Sequence, residues 1–220
     1  MPKIKNIALI MDLLKKESEN WKHPFVSEWG RIVRDPFTTL ISCLLSLRTK
    51  DKTTAEASIR LLKKYNTPEK ILKLSNKKIE KLIYPVGFYR TKAKRIKEIC
   101  RVLIKRYKSK VPDTFDELIK LKGVGPKTAS IVVVYGYNKP DHIPVDTHVH
   151  QIANRLGWVN TKTPEKTQPA LEKIIPKKYW YDLNELFVRF GQNICVPVSP
   201  FCSRCPISKY CPRIGVKRSR

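Results

Sequence analysis

An all-α fold follows from three features of this chain of 220 residues. Apolar residues recur at helical spacing almost throughout. No stretch keeps up a two-residue alternation, and 16 prolines punctuate the chain between its periodic segments. The length suits one domain or two modest ones, with enough chain to bury a core without disulfides. No internal repeat is evident.

Near the start, Ile7 to Met11 is apolar and Asp12 ends the run. That stretch is too short for a signal-peptide core, and no small-residue cleavage site follows it. Phe37, Leu40, Ile41, Leu44 and Leu45 form a helical face that begins just after Pro36. A second face carries Ile96, Ile99, Cys100, Leu103 and Tyr107, at i, i+3, i+4, i+7 and i+11. Cys43 and Cys100 lie on these apolar faces, where a thiol serves as a small buried hydrophobe. Thr114-Phe115-Asp116-Glu117 reads as a capping box opening a short helix, the Thr hydroxyl and Glu carboxylate each serving the other's amide.

Leu121-Lys122-Gly123-Val124-Gly125-Pro126-Lys127-Thr128-Ala129 reads as a hairpin between two helices. Gly123 and Gly125 permit positive φ and close backbone approach, and Pro126 suits the first turn of the following helix. Amides at such a helix start favour an anion, and Lys122 adds charge. Taken alone, the turn is more often an ordinary helix–helix connection. The run Ile131 to Val134 is β-branched, yet it continues from Pro126–Ala129 without a break and has no partner strand, so it reads as buried helix.

Asp146 follows Pro144 and precedes the helical pattern Val149, Ile152, Ala153 and Leu156, which makes it an N-cap that also holds a carboxylate ready for chemistry. His148 and His150 receive no catalytic role. The tail carries Cys195, Cys202, Cys205 and Cys211, spaced C-x6-C-x2-C-x5-C among prolines, with little helical pattern. Four thiolates this close can surround one metal centre, and the spacing leaves zinc and iron–sulfur both open.

Lys and Arg number 45 against 19 Asp and Glu, a net charge of +26. Such self-repulsion points to a polyanionic partner and makes nucleic-acid phosphate the leading ligand of the hairpin. With 41% hydrophobic residues the chain is globular and not a basic tail, and no run approaches the roughly 18 apolar residues of a membrane span. An intracellular location is expected, where six cysteines mean metal or buried thiols. Eight glycines and dense Lys-rich charge suit a heat-stable protein.

The segments LKGVGPKTA at 121–129, VDTHV at 145–149 and the four-cysteine tail occur in one order, supported by LLSLRTKD at 44–51 and VGFYRTKAKRI at 86–96. From about Pro24 to Pro212 the chain resembles the endonuclease III family of helix-hairpin-helix DNA glycosylases. The resemblance implies a two-domain all-α fold. A six-helix domain would span 29–139, and a discontinuous cluster domain would combine 1–28 with 140–220. It implies that Cys195, Cys202, Cys205 and Cys211 hold a [4Fe–4S] cluster. Lys127 matches the family's catalytic lysine and Asp146 its catalytic aspartate. The implied enzyme flips a damaged base, forms a Schiff base at the sugar C1′ and nicks the abasic site by β-elimination.

The partner implied is double-stranded DNA with a damaged or mismatched base. A cytoplasmic, DNA-associated monomer, neither secreted nor membrane-bound, is expected. Lys122, Gly123 and Gly125 would contact the DNA backbone. Arg48 stands where relatives commonly carry Gln facing the opposite base, and Phe88 stands where the family places an apolar wedge. Gln151 stands where many members have an Arg close to the cluster. The nearest rival is a monofunctional glycosylase of the same superfamily acting on uracil, mismatched thymine or an oxidised purine. A rival of another class is a non-catalytic DNA-binding module with a structural metal.

Overall fold

The computed structural model describes residues 6–19, 21 and 24–220. Residues 1–5, 20, 22 and 23, which the expected 1–28 segment includes, lie outside the described set. Among the described residues there is no strand. The helices in chain order are α1 (Ile7–Ser18), α2 (Phe25–Val33), α3 (Pro36–Ser46), α4 (Asp51–Leu62), α5 (Pro68–Leu72), α6 (Asn76–Ile83), α7 (Tyr89–Tyr107), α8 (Phe115–Ile119), α9 (Pro126–Ile131), α10 (Thr147–Arg155), α11 (Pro164–Glu172) and α12 (Trp180–Asn193). No helix among them is long and apolar enough to cross a membrane. The chain divides into two compact units, Phe25–Lys139 and Met1–Pro24 with Pro140–Arg220.

The first unit is built around α3. Asp35 caps it, accepting the Thr38 amide at 2.9 Å, and every residue from Phe37 to Leu45 is buried. A helix buried on all sides needs neighbours on all sides. α3 has them in α2, α4, α7 and α9. α5 and α6 pack on α7, whose buried face is Ala93, Ile96, Ile99, Cys100 and Leu103. Thr67 and Ser75 cap α5 and α6 through their hydroxyls, so these short helices are fixed at their starts.

Two expectations meet different outcomes here. Ile131 to Val134 is helical and buried, as its continuity with α9 implied, but the last turn, Val132–Gly136, widens to a π-helix in which the Tyr137 amide reaches back to the Val132 carbonyl at 3.1 Å. The capping box at Thr114 does not form. Thr114 occupies the N-cap with no side-chain bond, and the Glu117 carboxylate that would complete the box is taken by the Tyr107 hydroxyl at 2.9 Å and by Lys120. A charged partner one turn away competes well with a backbone amide in water.

In the second unit α1 and α10 both pack on α12, and α11 packs on α10. α12 buries Leu183 through Gly191 without interruption. From α1 come Ile10, Met11 and Leu14, each at most 2% exposed. At about 1.5–3 kcal/mol per fully buried side chain, these three suffice to hold a twelve-residue helix that would be marginal alone. The apolar stretch that the sequence ended at Asp12 is thus the first half of a helix running on to Ser18.

Candidate functional site

The hairpin runs from α8 to α9. The Val124 amide donates to Leu121 at 2.9 Å, leaving Lys122 and Gly123 exposed at the tip. Gly123 takes φ 88°, where a side chain is strained, and a Cβ there would press on Arg95 Cδ at 3.0 Å. Gly125 does not take the expected positive φ. It is the extended N-cap of α9, at φ −97°, ψ 176°, and a Cβ there would meet nothing within 4 Å. The fold itself therefore does not require glycine at 125. Pro126 opens α9 as expected.

Lys127, half-buried in the first turn of α9, acts electrostatically on two buried or partly buried groups of its own unit. One is Cys43, whose thiol is pushed up to about 12 by burial against the pull of Lys127. The other is Asp51, the first residue of α4. Its carboxylate accepts the Phe25 amide at 2.8 Å. Burial raises its pKa, opposed by that amide and by the Lys127 charge. A desolvated carboxylate near an amine is a feature that sequence spacing does not show, because the burial of Asp51 comes from the packing of separate segments.

Arg48 and Phe88 lie on the same unit, Arg48 within the α3–α4 connection and Phe88 at the end of the α6–α7 connection. Both take the left-handed backbone, φ 50° and 57°, and both are exposed. The Arg48 guanidinium carbon stands 5.9 Å from the centre of the Phe88 ring. The structure thus brings together two residues 40 positions apart in sequence.

Asp146 belongs to the other unit. Its Oδ1 accepts the Val149 amide at 2.9 Å, so it caps α10 as expected, and its side chain stays half-exposed. The two histidines beside it are structural. His148 packs so closely on α12 that a Cβ on Gly191 would fall 2.4 Å from its Nδ1. His150 Nδ1 pairs with the Thr167 hydroxyl at 2.6 Å.

Cys195, Cys202, Cys205 and Cys211 line one cavity with Ile152, Leu156, Phe190 and Ile207. Burial raises the pKa of Cys195 and Cys211 and brings Cys205 to about 11, with neighbouring thiols adding to the rise. Thiolates held there need a cation, and four soft sulfur donors in an apolar wall have the donor chemistry of an iron–sulfur or zinc centre. Among the described residues no three His, Cys, Asp or Glu side chains converge as ligands of a single ion.

The cysteine loop is held from α10. Arg155, 8% exposed, donates to the carbonyls of Cys195 (3.2 Å), Val196 (2.9 Å) and Pro197 (2.8 Å) and to Cys195 Sγ (3.2 Å). Gln151 donates to the Cys195 carbonyl at 3.0 Å, so it holds the same loop. Arg155 gave no signal in the sequence beyond a basic residue at a helix end.

The family model for the HhH-GPD superfamily of base excision DNA repair proteins matches residues 41–177. Endonuclease III of Thermotoga maritima is 48% identical over 177 residues, 80% of this chain and 83% of that protein. Among solved structures, a trapped endonuclease III–DNA covalent intermediate superposes with a TM-score of 0.84 at 33% identity, covering 97% of each chain. A thermostable thymine-DNA glycosylase superposes with a TM-score of 0.81 at 26% identity, covering 94% of each. A match of this extent leaves the hairpin, the Asp146 segment and the cysteine tail inside one known architecture: the chain belongs to the endonuclease III family of the HhH-GPD superfamily of base excision DNA repair proteins.

Proposed function

We propose that Lys127 and Asp146 carry the chemistry of this base-excision repair DNA glycosylase and lyase. The substrate is double-stranded DNA with an oxidised pyrimidine, which must leave the stack before its glycosidic bond can be reached. The Lys127 amine attacks the sugar C1′ as the N-glycosidic bond breaks, and the base departs with the bonding pair. The Asp146 carboxylate stabilises positive charge on the sugar and takes the proton that the attacking amine releases. Ring opening gives a Schiff base, and loss of a C2′ proton then breaks the C3′–O bond. The observation that carries this reading is the position of Lys127, half-buried in the first turn of α9 and two residues past a glycine that opens onto free space. The +26 charge fits the DNA partner.

The test is a panel of duplexes, each with one lesion opposite each base, incubated with and without borohydride. An oxidised pyrimidine should give both free base and a covalent protein–DNA adduct. Excision without any trapped adduct would make water the nucleophile and hand the reading to a monofunctional glycosylase.

In this reading Lys122, Gly123 and Gly125 receive a backbone phosphate. Gly125→Ala separates binding from folding, because the extended backbone and open space accept a methyl group. Its thermal stability should be unchanged to within about 0.5 kcal/mol. Its affinity should fall about tenfold on damaged and undamaged duplexes alike, since phosphate contacts position without specifying. Arg48 and Phe88 enter the gap left by the flipped nucleotide, with Arg48 facing the opposite base.

Cys195, Cys202, Cys205 and Cys211 hold a [4Fe–4S] cluster, supported by the shared cavity and by family membership. When bound, that cluster would staple the tail of the domain formed by α1 and residues 140–220. Iron and sulfide should be found in equal amounts, about four of each per chain. Cys202→Ser should lose the visible absorption and lower the melting temperature together. A colourless active protein with stoichiometric zinc would refute the assignment.

A further inference from the structure

One side chain joins the Arg48 and Phe88 segments and has no part in the chemistry above. Lys92, on α7, is 8% exposed. Its ammonium donates to the Leu45 carbonyl at 2.8 Å, to the Leu47 carbonyl and to the Thr49 hydroxyl at 3.1 Å. Its three donors meet three oxygens, none of them a carboxylate. Two are carbonyls at the C-terminal end of α3, where the helix dipole favours a cation. Burial still brings its pKa down to about 8, so this charge is kept at a cost that a surface lysine does not bear.

The Thr49 hydroxyl also accepts the Gly87 amide at 3.2 Å. A Cβ on Gly87 would stand 2.5 Å from the Arg48 carbonyl oxygen, so the two segments touch backbone to backbone. On the other side, the Lys92 amide donates to the Phe88 carbonyl at 2.9 Å. Lys92 therefore grips the Arg48 segment with its ammonium from the first turn of α7, the helix that opens directly after Phe88. Arg48 and Phe88 both sit in the left-handed region, a conformation that non-glycine residues keep only when their surroundings impose it.

We propose that Lys92 is a positioning residue that locks the Arg48 and Phe88 segments into a single wedge, so that discrimination among opposite bases depends on its ammonium. This rests on the reading that Arg48 and Phe88 enter the duplex gap. Independent side chains would each lose only their own contact. A locked pair fails as a unit when the lock is removed.

The experiment compares wild type with Lys92→Met, Lys92→Arg, Thr49→Val, Arg48→Ala and Phe88→Ala. The readout is the ratio of single-turnover excision rates for one lesion opposite its best and worst base. Lys92→Met keeps the aliphatic stem and removes the ammonium. It should lower that ratio about fivefold or more, and adding Arg48→Ala should lower it no further. Lys92→Arg should restore at least half of the ratio. Thr49→Val removes the shared hydroxyl without touching the lysine, and should lower the ratio in the same direction if Lys92→Met fails to fold. Equal rate losses opposite every base would reduce Lys92 to a structural contact and overturn the proposal. An unchanged ratio in Lys92→Met, or in Thr49→Val where Lys92→Met does not fold, with Arg48→Ala still collapsing it, would overturn the coupling and leave the gap reading intact. An unchanged ratio in both Arg48→Ala and Phe88→Ala would overturn the gap reading itself, and the coupling with it.

Discussion

Lys127→Ala is expected to abolish the borohydride-trapped adduct altogether and to slow base excision by about 10³-fold or more. A Schiff base needs an amine at C1′, and this reading gives that role to Lys127. The substitution should cost little stability. Lys127 is half-buried, it is not part of either apolar core, and alanine favours the helix. Affinity for lesion DNA should fall by no more than the loss of one positive charge, seen as a change of about 0.9 in the slope of log K against log salt. The decisive measurement is trapping under single-turnover conditions. A Lys127→Ala protein that still forms the adduct would show another amine to be the nucleophile.

Asp146→Asn should reduce excision by about 10²–10⁴-fold with near-normal binding of lesion DNA. The choice of asparagine is dictated by structure. Asp146 Oδ1 caps α10 through the Val149 amide, so alanine would cost about 1 kcal/mol of helix stability in addition to any chemical loss. Asparagine keeps an acceptor oxygen in that place and removes only the charge. Nicking of a pre-formed abasic site should suffer less than excision, because no glycosidic bond remains to be broken. Melting temperature and abasic-site nicking, measured beside excision, separate the cap from the carboxylate. Equal losses on both substrates would show that Asp146 acts on the lyase step.

The parts of the fold and site legible in the sequence were those written in local spacing. α3 and α7 announce themselves by apolar periodicity, Asp146 by its place before a periodic run, and the cysteine loop by its spacing. Contacts between distant segments were not legible. Lys92 looked like one more cation in a Lys-rich helix, and only the meeting of α7 with the end of α3 shows that it is buried. Arg155 was hidden in the same way, its four partners lying about 40 residues downstream. The Thr114 capping box misled because Glu117 is claimed both by Lys120, one turn on, and by Tyr107 on another helix, which the local pattern does not show. Gly125 misled in the opposite sense, since its backbone is ordinary and the room beside it is what a larger residue would fill.

The packing of α1 against α12 has a consequence for how this chain emerges from the ribosome. Residues 25–139 are contiguous, and their core can close as soon as that stretch has been synthesised. α1 lies on the far side of residues 25–139 from its partner α12 along the chain, so it cannot dock until Trp180–Asn193 has been made. Until then the stripe of Ile7, Ile10, Met11 and Leu14 lacks the cover of α12, a long-range closure of the kind that slows folding. A late docking of α1 is therefore the step that completes the unit bearing Asp146 and the cysteine loop.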